Sequence, residues 1–133
     1  MKKVILSLFI VASLAIIGCK GEAKTDTKTT EQTTTADGKE LSMTTFGVRG
    51  NCGMCKTTIE KAANSVDGVA EAIWDVKKKS ITVSYDEHKA NDKEIHKAIA
   101  AAGYDTDKMN GDKVAYKNLP QCCQFDETQK MSQ

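Results

Sequence analysis

Residues 41–69 read LSMTTFGVRGNCGMCKTTIEKAANSVDGV, and the hydrophobic period changes partway along. From Leu41 to Val48 apolar and polar residues alternate, with Leu41, Met43 and Val48 as core candidates. That is the spacing of a strand with one buried face. Gly50 and Gly53 bracket a loop, and the missing Cβ allows backbone conformations barred to other residues. From Cys55 to Val66 the apolar positions Ile59, Ala62, Ala63 and Val66 fall at offsets 0, 3, 4 and 7, which predicts a helix. Asp67-Gly68 is a turn signal that stops it.

Downstream the alternation resumes. Val69 to Val76 and Ser80 to Tyr85 read as two more strands joined by Lys77-Lys78-Lys79, with Ile81, Val83 and Tyr85 sharing a face. Asn91 or Asp92 is placed to cap a second helix whose stripe is Ile95, Ala98, Ile99 and Ala102, ending at Gly103. Tyr104 to Lys108 is expected to add a short fourth strand. Asp112 to Leu119 reads as a short helix or an extended arm, stopped by Pro120. The order predicts an α+β fold, the ferredoxin-like βαββαβ sandwich, with two helices on one face of an antiparallel sheet. The core is small, so a ligand or cross-link is expected to contribute to stability.

The segments outside residues 41–108 have different compositions. Met1-Lys2-Lys3 followed by the largely apolar run Val4 to Ile17 reads as a signal peptide over residues 1–18. A run that short does not span a bilayer core of roughly 30 Å. Ile16-Ile17-Gly18-Cys19 resembles the lipobox of bacterial lipoproteins, which implies a lipidated Cys19 and a chain tethered to a membrane of the bacterial cell envelope, periplasmic or on the outer face. Lys20 to Glu40 carries seven threonines and no large apolar residue. Residues 19–40 are therefore expected to be a disordered linker. Residues 109–133 form a C-terminal extension carrying the vicinal pair Cys122-Cys123.

The chain of 133 residues carries 19 Lys+Arg against 18 Asp+Glu. Without Lys2 and Lys3 the balance is 17 against 18, which argues against a nucleic-acid groove. No Ser/His/Asp set, phosphate loop or paired-carboxylate site stands out, so no enzymatic activity is expected. His88 and His96 read as surface residues.

With Cys19 assigned to lipid, four cysteines remain: Cys52, Cys55, Cys122 and Cys123. A C-x-x-C and an adjacent pair do not make the spread framework of a disulfide-stapled domain. The C-x-x-C lies where strand passes to helix. Unpaired N–H groups at a helix start favour thiolate at Cys55, and thiolate is the form that binds metal. Two soft sulfurs at this spacing can converge on one ion, with Lys56 and Arg49 available to offset the charge. If the tail folds back, Cys122 and Cys123 could add a third and fourth thiolate. They could instead serve a disulfide or redox role, or none. Met54, between the two cysteines, is a possible thioether ligand.

Arg49-Gly50-Asn51-Cys52-Gly53-Met54-Cys55, Ile59-Glu60-Lys61-Ala62, Val66-Asp67-Gly68-Val69, Val83-Ser84-Tyr85-Asp86 and Ile99-Ala100-Ala101-Ala102-Gly103-Tyr104 together resemble the heavy-metal-associated domain family. That family includes copper chaperones, metal-binding domains of copper- and zinc-transporting ATPases, and a periplasmic mercury-binding protein. The resemblance covers about residues 42–107. It implies the ferredoxin-like fold, Cys52 and Cys55 as ligands, Tyr104 near the metal loop, and linear or trigonal thiolate binding of Cu(I) or a similar soft ion. Two positions depart from the family pattern: Gly50 stands where many members have Met, and Asn51 where many have Thr, His or Asp. Softness ranks Cu(I) first, with Hg(II), Zn(II), Ag(I) and Cd(II) as rivals.

The expected function is a soft-metal carrier or scavenger, membrane-tethered in the envelope, with a metal-transporting ATPase or efflux component as a possible partner. The alternatives are a thiol–disulfide redox protein using Cys52/Cys55 with Cys122/Cys123, and a binding module stapled by metal.

Overall fold

A computed structural model of the chain describes residues 31–34 and 40–132; residues 1–18, read as a signal peptide, Cys19 and most of the expected linker lie outside the described residues. Strands β1 (Glu31–Thr34) and β2 (Glu40–Gly47) precede helix α1 (Gly53–Asn64). Strands β3 (Val69–Asp75) and β4 (Ser80–Tyr85) follow, then α2 (Asp92–Ala101), a short α3 (Lys113–Lys117) and a 3-10 turn (Gln121–Cys123). The sheet is antiparallel in the order β1-β2-β4-β3. Ile59 and Ala63 from α1 and Ile95 and Ile99 from α2 share one core cluster with Phe46, Val48, Trp74, Ile81 and Val83. This is the α+β ferredoxin-like arrangement. Among the described residues no helix is long and apolar enough to cross a membrane.

Local chemistry accounts for the element boundaries. Asp75 Oδ1 accepts from the N–H groups of Lys77 and Lys78, tightening the β3–β4 turn. Gly68 has φ +97°, a left-handed value that suits glycine, where α1 hands over to β3. Asn91 closes a full capping box: its side chain accepts from the Glu94 N–H while the Glu94 carboxylate accepts from the Asn91 N–H.

Four expectations from the sequence are corrected. Glu31–Thr34, assigned to a disordered linker, pairs with β2 from Glu31↔Met43 to Thr34↔Glu40. Edge pairing draws on backbone hydrogen bonds to a neighbouring strand, which composition does not reveal. The fourth strand at Tyr104–Lys108 shrinks to a single bridge, Val48↔Thr106, flanked by Arg49 N–H to Asp105 O and Asp107 N–H to Gly47 O. β1 already occupies the other end of that edge of β2. Met43 is only half-buried, because the core face of β2 is the one carrying Ser42, Thr44, Phe46 and Val48. His96 is buried, not on the surface: its ring lies 3.8 Å from that of Phe46 and Nδ1 is 2.8 Å from Thr106 Oγ1. The segment after α2 folds over this side, so the buried stripe includes His96 and Ala100.

Candidate metal centre

β2 runs into the tight segment Arg49–Asn51, and Cys52 is the N-cap of α1 with extended backbone (φ −147°, ψ −178°). Ser, Thr, Asp or Asn at this position would accept from the first helical N–H groups. Cysteine forms no such formal cap. Instead the N–H groups of Cys55 and then Met54 favour its thiolate and lower the Cys52 pKa from 9.0 to about 7. The helix start thus acts on Cys52, the half-buried sulfur of the pair.

Cys55 sits three residues on, one turn into α1, and is fully buried. Its sulfur is 3.7 Å from that of Cys52 and accepts the Asn51 N–H at 3.3 Å. Gly50 makes this closeness possible. A Cβ there would lie 3.0 Å from the Trp74 ring and 3.2 Å from Cys55 Cβ. The reason for this glycine is close packing, not an unusual backbone angle. Gly53 has open space around it, and neither glycine takes a left-handed φ. Trp74 fills the volume under the loop and donates its indole N–H to Val48 O at 3.1 Å.

The C-terminal extension folds back over this loop. Pro120 precedes the 3-10 turn, Cys123 N–H bonds to Pro120 O, and the Cys123 side chain turns inward, 1% exposed. The sulfurs of Cys52, Cys55 and Cys123 all lie within 4.8 Å of one another. Burial first, and then neighbouring Cys55, push the Cys123 thiol up to about 12. Cys122 points outward instead. Its sulfur is 3.9 Å from Cys123 Sγ and 3.7 Å from Met54 Sδ, at an exposed rim. Among the described residues the four cysteines are free thiols.

Asn51 latches the arm down. Its Nδ2 donates to the carbonyls of Gln124 (3.1 Å) and Cys122 (3.3 Å), and its Oδ1 accepts from Gln129 Nε2 at 2.9 Å. Phe125 supplies the apolar anchor, packed edge-on against Tyr116 and stacked on Tyr104, while Tyr116 donates its hydroxyl to Phe125 O.

Tyr104 is fully buried beneath the sulfurs. Burial, and then the neighbouring Cys123 and Cys55, hold its phenol protonated well above the usual tyrosine range. Its hydroxyl completes no hydrogen bond of ordinary geometry, although the side chains of Cys123 and Thr58 lie beside it. Lys56 and Arg49 do not serve as counter-charges to the sulfurs. Lys56 pairs with Glu60 and donates to Trp74 O, and Arg49 pairs with Asp105 and donates to Gln129 O. Each is already engaged by an acidic partner.

The donor set fits a soft cation: clustered sulfurs with no hard oxygen ligand in the group. Sequence reasoning reached Cys52, Cys55 and Tyr104 and left Cys122 and Cys123 undivided. It missed the Asn51–Gln129 latch and Trp74 beneath Gly50, for which no local pattern in the sequence gives a signal.

Known proteins match the same segment. The profile described as the heavy-metal-associated domain matches residues 46–105. A copper chaperone CopZ of Staphylococcus aureus (strain JH9) is 35% identical over 66 residues, covering 49% of this chain and 97% of the relative. A solved structure titled CopZ metallochaperone is 35% identical, covering 49% of this chain and 98% of its own, with a TM-score of 0.48. Oxidized MerP from Ralstonia metallidurans CH34 is 30% identical over 50% of this chain and 93% of its own, also with a TM-score of 0.48.

Proposed function

The chain belongs to the heavy-metal-associated domain family, and from that premise we propose that it carries or scavenges a soft metal ion, Cu(I) first, through Cys52 and Cys55. The observation that carries this reading is the pair of sulfurs 3.7 Å apart at an accessible helix start. Cys52, half-buried and with its pKa near neutrality, is the sulfur that meets an incoming ion. Cys55, buried and held by the Asn51 N–H, then closes the chelate. Two polarisable sulfurs select against hard cations. The name of the Staphylococcus relative, a copper chaperone, supports Cu(I) as the cargo; Hg(II), Ag(I), Cd(II) and Zn(II) are the competitors to test.

The lipobox-like segment ending at Cys19 supports placing this carrier at the envelope on a lipid tether. A metal-transporting ATPase or an efflux component is the partner that a tethered carrier suits. Titration of reduced protein with Cu(I) beside the C52S/C55S variant tests the site. Tight binding by the wild type and loss in the variant is expected, and equal binding by both overturns the assignment.

Three clustered thiols with Cys122 at their rim also favour a second reading, a thiol–disulfide role, since Cys52 has the lowered pKa of an attacking thiol. Turnover in an insulin-reduction assay would establish it, and its absence removes it.

A further inference from the structure

Resting on the reading of Cys52 and Cys55 as ligands, we propose that Cys123 supplies a third thiolate. The C-terminal arm would thereby turn an open two-sulfur loop into a closed, trigonal three-sulfur site for a d10 soft cation, Cu(I) above all.

Three independent observations converge. The first is position: the arm crosses from a point about 70 residues away in sequence and sets Cys123 Sγ within 4.8 Å of both other sulfurs. A spacing in this range lets one cation touch all three after a small contraction. The second is the supply of donors. Cys52 stands at the start of α1, where the first N–H groups lack helical partners, and Cys55 accepts the Asn51 N–H. Cys123 has the fully buried Tyr104 hydroxyl beside it, with no ordinary hydrogen bond yet made. A buried hydroxyl left unbonded costs free energy, and a thiolate at Cys123 gives it an acceptor. Each sulfur thus has a donor placed to support negative charge, in a pocket where Lys56 and Arg49 are engaged elsewhere.

The third observation is which cysteine is left out. Cys122 lies outside the group, turned toward Met54. Four-coordinate Zn(II) in a structural site needs four protein ligands. The described residues gather three, all sulfur, which suits an ion content with three soft ligands.

Binding is ligand exchange without redox change. Cu(I) stays Cu(I), each of the three thiols releases its proton to solvent, and three Cu–S bonds replace those to the thiol carrier that delivered the ion. Release requires the reverse at three sulfurs, one of them under a latched arm. The site is therefore built to retain its ion, which favours scavenging over rapid hand-over.

X-ray absorption at the copper edge, on full-length reduced protein loaded anaerobically with one equivalent of Cu(I), counts the sulfur neighbours directly. Three sulfurs in the wild type and in C122S, with two in C123S, are expected. Y104F should keep three sulfurs but bind about tenfold more weakly against a chromophoric chelator. Two sulfurs in the wild type overturn the proposal while leaving Cys52 and Cys55 as ligands, and that result does not depend on whether C123S folds. A third sulfur lost in C122S instead of C123S also overturns it. Unchanged binding in C52S/C55S would overturn the underlying site itself.

Discussion

Replacing Asn51 by Ala should unlatch the C-terminal arm without touching a sulfur. The substitution removes three hydrogen bonds: Nδ2 to Gln124 O at 3.1 Å, Nδ2 to Cys122 O at 3.3 Å, and Gln129 Nε2 to Oδ1 at 2.9 Å. The Asn51 N–H to Cys55 Sγ and the Gly50 N–H to Gln129 Oε1 survive, because both use backbone donors. All three lost bonds are exposed, so water takes over the freed carbonyls and no desolvated orphan remains. The longest bond adds little. The other two, at about 0.75 kcal/mol each in the lower half of net hydrogen-bond worth, come to about 1.5 kcal/mol together. That is roughly a tenfold rise in the fraction of molecules with the arm open. Cys123, 1% exposed, reports this opening through its labelling by a maleimide in metal-free reduced protein, with modified sites read by mass spectrometry. At low reagent concentration the rate follows the open population. Labelling of Cys123 should quicken about tenfold in N51A, while labelling of Cys122, already exposed, stays unchanged. An unchanged Cys123 rate, or wild-type Cys123 reacting as fast as exposed Cys122, would refute the latch.

The remaining predictions concern the thiols and the packing around them. Because helix-start N–H groups stabilise the Cys52 thiolate, its alkylation rate should rise with pH through a midpoint near 7 and level off above it, instead of rising around 9.0. Cys123, pushed up to about 12, should show no such midpoint near 7; a Cys52 midpoint at the ordinary thiol value contradicts the geometry. Phe125→Ala removes the aromatic anchor, 4% exposed, between Tyr104 and Tyr116 and should cost about 3–5 kcal/mol, seen as a lowered urea midpoint. Gly103→Ala places a Cβ 2.6 Å from the Tyr116 N at φ +92° and should destabilise by more than about 1 kcal/mol in the same assay.

Local periodicity carried most of the fold. Ile59 and Ala63 in α1, and Ile95 and Ile99 in α2, are buried where the 3.6-residue repeat puts them. Asn91 caps α2 as its side chain allows. Long-range contacts were not legible. His96 looked solvent-facing because its burial depends on Phe46, fifty residues upstream, and on Thr106 folding back. Glu31–Thr34 looked unstructured because its pairing is with β2, a contact that its own composition does not announce. At the site, the C-x-x-C announced itself by spacing and position. Nothing in Gln121-Cys122-Cys123 says which sulfur turns inward; that is decided by Pro120 starting the turn and Phe125 anchoring beyond it.

The short hairpin partner of β2 bears on crowding. An open sheet border invites backbone pairing with a neighbouring molecule. Here residues 31–34 shield one end of that border and the Thr106 bridge shields the other. The opposite border, β3, is interrupted by an irregularity between Val69 and Glu71. A second copy approaching the β2 border would thus find less of its backbone free for pairing than a bare strand offers.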